Sequence, residues 1–272
     1  MTRFRHRKKA SRNKNLIGIF IIFCVLVVIG VLAYLHYTQK QKQVPLDPVT
    51  LCPISSSIPK YVALVFDKSD TYNAVQQRFL QRFFTEFKSQ LIAGTQISIY
   101  VIDELKKDTL SPDLVICAPR TGDDANAFYE NPRQIRQRWQ QQFEQPLDKV
   151  IDGFMQAGKS DFSPIMETLQ AVALSAFPAL KTVADKQIIL ISDMLHHTPE
   201  WSHYRGQMAF SLLQGTAYYQ RLNTDLQNAE VKILYIRREG MEKVQNKRHA
   251  FFWADYIGSI GGRVSLIEKV DG

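Results

Sequence analysis

The stretch "LIGIFIIFCVLVVIGVLAYL", Leu16 to Leu35, runs for twenty residues without a charge, and it limits what this chain can fold into more than any other feature. At about 1.5 Å of rise per residue, a helix of that length matches the ~30 Å hydrocarbon core of a bilayer. A cleavable leader is the alternative, but its apolar region is about 7 to 15 residues long and ends in an A-x-A-like site. No such site follows here, so the segment reads as an uncleaved anchor. Arg3, Arg5, Arg7, Lys8, Lys9, Arg12 and Lys14 precede it, and only Lys40 and Lys42 follow closely. That asymmetry places the N-terminus in the cytoplasm. The expected organisation is a basic cytoplasmic tail at 1–15, a transmembrane helix at 16–35, a linker at 36–58 and an exported domain at 59–272. In a Gram-negative cell this is a single-pass inner-membrane protein with a periplasmic C-terminal domain.

The formal charge of +8 lies mostly in the tail, and removing its seven basic residues leaves +1. A nearly neutral body has no electrostatic footprint for nucleic acid. Three cysteines occur, Cys24 in the span and Cys52 and Cys117 beyond it. An oxidising compartment permits a bridge between the last two.

Beyond the polar, two-proline stretch Thr38 to Val49, strand-like and helix-like segments alternate. Tyr61 to Phe66 is a short apolar run, as expected of a strand buried on both faces. Tyr72 to Leu91 places Tyr72, Val75, Phe79, Phe83, Phe87 and Leu91 on one helical face, with Gln76, Gln77, Gln81, Arg82 and Lys88 opposite. Thr95 to Asp103 and Asp113 to Ala118 read as strands whose connection is too short for a crossover helix, so they pair antiparallel. Asn131 to Met155 is a polar helix expected to break at Pro146. Ser163 to Phe177 is a helix with Ser163 as its cap and Pro164 at its first position. Strands at Lys186 to Asp193, Glu230 to Ile236 and Arg263 to Glu268 alternate with helices at Arg205 to Gln227 and Lys247 to Ile260. The fold class is α/β: a doubly wound, mostly parallel six-stranded sheet with one antiparallel edge strand. The third strand opposes the first, which brings Cys117 to the end of the sheet where the chain arrives through Cys52. That geometry permits the bridge; two buried thiols are the alternative.

Ligands of open α/β sheets bind outside the carboxyl ends of the strands, where strand order reverses. The first strand ends in Asp67 and the fourth in Asp193, and the loop "GKSDFSP" (Gly158 to Pro164) reaches the same crevice. Asp67, Ser69 and Thr71 resemble the D-x-S-x-S signature of von Willebrand factor type A domains. Ser160 with Asp161 resembles that family's G-x-T-D loop, and "ILISDM" resembles the strand that ends in its third-loop aspartate, Asp193. The resemblance spans about Pro59 to Lys269 and implies a metal-assisted interaction module, not an enzyme. Mg²⁺ or Mn²⁺ would be held by Asp67, Ser69, Thr71, Ser160 and Asp193, with one position open to an acidic side chain of a partner protein. A hard cation of this kind takes oxygen ligands and keeps waters readily. Asp70 adds charge to the first loop.

Two other readings use the same acids. One is a metal-free assembly subunit in which Asp67 and Ser69 cap the first helix. The other is a metal-dependent phosphohydrolase, because "VFDKSDT" resembles the D-x-D-x-T motif of haloacid dehalogenase-type phosphatases; Ser69 stands where the second aspartate would act as general acid. His196, His197 and His203 lack zinc-site spacing and read as a solvent- or partner-facing loop.

Overall fold

The computed structural model describes residues 7–41, 45–54, 57–69, 71–102, 111–126, 130–156, 160–177, 183 and 185–272, in two compact units that divide after Pro45. The first unit is the helix α1 (Arg7–Gln41), within which Ile17–Tyr34 is long and apolar enough to cross a membrane. It extends past both ends of the expected span, since nothing in its sequence from Arg7 to Gln41 is a proline. Cys24 lies in it as an exposed free thiol.

The second unit begins at Leu46, so part of the expected linker belongs to it. A turn ties this part together. Asp47 Oδ1 accepts from the backbone N–H groups of Val49 and Thr50, and Leu46 pairs with Pro53. Thr50 O then accepts from Cys117 N at 2.7 Å, beside a disulfide between Cys52 and Cys117.

The main body is a six-stranded sheet of order β3-β2-β1-β4-β5-β6. Its strands are β1 (Lys60–Asp67), β2 (Gln96–Ile102), β3 (Leu114–Cys117), β4 (Asp185–Ser192), β5 (Glu230–Ile236) and β6 (Arg263–Val270). All neighbours are parallel except β2 and β3, which pair antiparallel from Gln96↔Cys117 to Ile99↔Leu114. This is the expected fold class. Residues 61–67 of β1 are all buried, which fits the central strand of a sheet covered on both sides. One core gathers Ala63, Val65, Leu190 and Ile233 with Trp253 and Tyr256; the other gathers Val62, Leu64 and Phe66 with Leu80, Phe84 and Phe143. Asp103, expected to end β2, lies outside the described residues.

Four helical expectations are corrected. In α2 (Ala74–Ser89) the buried stripe is Gln76, Leu80, Phe84 and Lys88, one residue away from the expected face. Gln76 turns inward because its amide donates to Arg237 O, and Lys88 because Asp148 and Glu144 receive its ammonium. Val75, expected inside, is 49% exposed.

Pro146 does not break its helix. Between α3 (Pro132–Trp139) and α4 (Gln145–Met155) the chain winds one π-helical stretch, Gln140–Glu144, and Gln145 N donates to Gln140 O. The wider turn relieves the clash between a proline ring and the carbonyl four residues back.

α5 runs Ile165–Ser175 with Pro164 at its cap and no side-chain capping bond, so Ser163 is not the cap. The expected helix from Arg205 to Gln227 is two short ones, α6 (Phe210–Gln214) and α7 (Ala217–Leu222), because Thr216 accepts from Tyr219 N and restarts the winding. α8 (Lys247–Ser259) follows β5.

Candidate functional site

From β1 the chain passes to β2 on one side of the sheet, and from β4 to β5 on the other. The carboxyl ends of β1 and β4 therefore flank the point where strand order reverses, which is where such sheets form a crevice.

Asp67 is fully buried there, and both its oxygens are engaged. Oδ1 accepts from Ser69 N at 2.9 Å. Oδ2 accepts from Ser163 Oγ at 3.1 Å and from Ser192 Oγ at 2.6 Å. One carboxylate thus joins the loop after β1, the loop that leads into α5 and the end of β4. The helix-capping role expected of Asp67 and Ser69 does not occur: α2 is capped by Asn73, whose side chain accepts from Val75 N and Gln76 N while Gln76 reaches back to Asn73 N. That is a capping box, and it leaves Asp67 free for the crevice.

Asp193 is 2% exposed. Its Oδ1 accepts from Leu195 N at 2.8 Å, and its Oδ2 from Arg238 Nε at 3.0 Å. Burial, and then the Asp67 carboxylate, push its pKa up to about 6 against the pull of Arg238. The Arg238 guanidinium also donates through Nη1 to Thr71 O at 2.6 Å, and it lies 5.8 Å from the Tyr72 ring centroid. Gln245, buried, fixes this arrangement. Its Oε1 accepts from Arg238 N, and its Nε2 donates to Asp193 O and Ile236 O.

The remaining expected ligands sit differently. Ser69 joins the site through its backbone, as donor to Asp67 and as acceptor from Ser160 N at 3.3 Å. Ser160 Oγ is turned onto its own loop, donating to Phe162 O and accepting from Phe162 N. Thr71 is exposed and is tied to Arg238 through its carbonyl. Asp70, Gly158 and Lys159 lie outside the described residues. Ser163 takes the place expected of Ser160, because a backbone bridge to His197 (Ser163 N to His197 O, 2.9 Å) turns its hydroxyl toward Asp67.

The donor chemistry, carboxylates with hydroxyls, is that of a hard-cation site. The charge arrangement is that of a site to which the chain already supplies a cation. Arg238 already places a cation on Asp193 and spans to Thr71, two of the residues expected to hold the ion. Among the described residues, no group of three or more His, Cys, Asp or Glu side chains is placed to hold a metal.

Behind the third loop lies a buried polar network, which corrects the expectation of an exposed histidine loop. His196 and His203 are fully buried. His196 Nε2 is 2.9 Å from Tyr218 OH, which donates to Glu167. His203 Nδ1 is 2.8 Å from His249 Nε2, and His249 Nδ1 is 2.5 Å from Tyr235 OH. Burial lowers the pKa of all three histidines, to about 3 for His196 and about 4 for His249. Only His197 is half-buried at the rim, stacked on Phe162.

No protein-family model matches the sequence, and no curated protein matches it.

Proposed function

We infer that this chain is a membrane-anchored, exported module of the von Willebrand factor type A kind, and that it works by docking another protein at the crevice between β1 and β4. The observation that carries this reading is the state of Asp67. Its carboxylate is buried and accepts from three parts of the chain, which makes it a strut that shapes the crevice mouth. The phosphohydrolase reading is less favoured because Ser69 stands where that chemistry would need an aspartate as general acid.

The anchor is α1, oriented by the basic residues before Leu16, with the sheet unit on the periplasmic side of an inner membrane. Docking has two versions. In one, Mg²⁺ or Mn²⁺ sits in the crevice and an acidic partner side chain completes its coordination; the convergence of Asp67, Ser163 and Ser192 favours it. In the other, the crevice works without a metal, and the ion pair between Arg238 and Asp193 favours it.

Site-specific photocrosslinking in cells tests the docking site. A crosslinker at Thr71 or Asp161, both exposed at the rim, should give a discrete protein adduct. The same group at Ile92, which is 54% exposed at the amino end of β2, should not. Export and folding being verified, no adduct from either rim position overturns the reading.

A further inference from the structure

We propose that Arg238 is the built-in cation of the crevice: its guanidinium makes the link between the first and third loops that a divalent ion would make, and its removal opens a divalent-cation site. The inference deepens the docking reading by naming what holds the docking crevice together.

Four observations point the same way. The guanidinium bonds to Asp193 Oδ2 and Thr71 O, so it bridges two loops through two residues that the resemblance assigns to metal binding. The side chain is only 11% exposed, unlike an arginine left in solvent. Its backbone is held by Gln245, a 2% exposed amide that at the same time holds the Asp193 carbonyl, so cation and anion share one support. Tyr72 supplies the floor: its ring lies under the guanidinium, and its hydroxyl donates to Asp67 O and Ile191 O, joining β1 to β4.

The physical argument is one of charge. Asp193 is buried, and the Asp67 carboxylate further disfavours its ionised form, so a positive charge bonded to its own oxygen offsets both effects. An arginine in a fixed fork geometry supplies it with directional hydrogen bonds and no dissociation. A divalent ion placed beside that guanidinium would be repelled by it, and it would have to compete for the same Asp193 oxygen. With Arg238 gone, Asp67, Ser163, Ser192 and Asp193 remain as an oxygen set of the kind Mg²⁺ and Mn²⁺ accept. It follows that an acidic partner side chain is not required to complete a coordination shell, and that a chelator should leave docking intact.

The test is Mn²⁺ binding by the full chain in detergent, read by electron paramagnetic resonance, with thermal unfolding measured in the presence and absence of Mn²⁺. The unmutated chain should show no saturable site up to millimolar Mn²⁺ and no shift in unfolding. Arg238→Ala should gain one saturable Mn²⁺ site per chain, and its lowered unfolding temperature should rise on adding the ion. Adding Asp67→Asn to that variant should abolish both gains. If Arg238→Ala does not fold, Arg238→Gln keeps a donor toward Asp193 while removing the charge, and the same gain is expected of it. A Mn²⁺ site in the unmutated chain that Asp67→Asn removes would overturn the proposal. So would folded charge-free variants that bind no Mn²⁺. Because no partner is present, either failure leaves the crosslinking result standing, and a missing adduct leaves this measurement unaffected.

Discussion

A single carboxylate at the end of β1 organises the crevice. Asp67 accepts two serine hydroxyls and a backbone N–H in full burial, and hydrogen bonds to a charged group contribute about 1.5 to 3 kcal/mol each, while a buried donor left without a partner costs about 1 to 3 kcal/mol. Asp67→Ala should therefore destabilise the sheet unit by about 3 kcal/mol or more, and Asp67→Asn by less, with the loss independent of added Mg²⁺; denaturant titration in detergent reads both. Equal stability of Asp67→Ala and the unmutated chain would remove the strut. Asp67 and Asp193 were legible because an apolar strand ending in an acid shows in the pattern of residues alone. Ser163 was not: two hydroxyls stand three apart in one loop, and the choice between them is made by His197, a residue of another loop. Arg238 was hidden for a different reason. A charge in "YIRREG" reads as a solvated turn until the sheet brings it beside Asp193.

At the scale of elements, contacts between distant segments override local pattern. The helix α2 carries apolar residues on two adjoining stripes, Phe79, Phe83 and Phe87 beside Leu80 and Phe84, and spacing alone does not choose between them. Arg237 and Asp148, which receive Gln76 and Lys88, make the choice. The segment from Met194 to Arg205 is held inward by its histidines, and it carries a pH dependence. His196 and His249 are neutral in the fold, with pKa values near 3 and 4 because burial disfavours their charge. Their stabilisation is complete above the ordinary histidine range and is lost as the pH falls below about 6.5, because the unfolded chain then binds protons the fold does not. Asp193 acts in the opposite sense: its pKa near 6 lets the fold take up a proton first, so stability returns there as the pH falls. Glu167, raised by burial, acts with Asp193. Between pH 7 and 5 His196, His203 and His249 together lose stability while Asp193 regains part of it, so the net change is a loss. The thermal midpoint should drop over this interval, and His196→Gln should flatten the drop. A midpoint that does not change between pH 7 and 5 would contradict the neutral, buried network.

The molecule as a whole joins an apolar helix to a sheet unit, and the cysteines make the proposed export of the second part testable. Cys52 and Cys117 are bridged across 65 residues, a closure that contributes about 2 to 4 kcal/mol and forms in oxidising compartments. Thiol labelling of the denatured, unreduced protein from cells should find only Cys24 reactive, and a reporter fused after Gly272 should work only as an exported enzyme. Three reactive thiols would remove the bridge, and an active cytoplasm-only reporter would place the sheet unit on the other side of the membrane. The bridge also decides how tension travels. A pull arriving along the chain from the N-terminal helix meets Cys52 before it meets β1, and the covalent link hands part of it to β3, the antiparallel strand at the margin of the sheet. The leader therefore meets the sheet at two strands instead of one. The central strand, which ends in Asp67, is then shielded from being drawn out by its own leader.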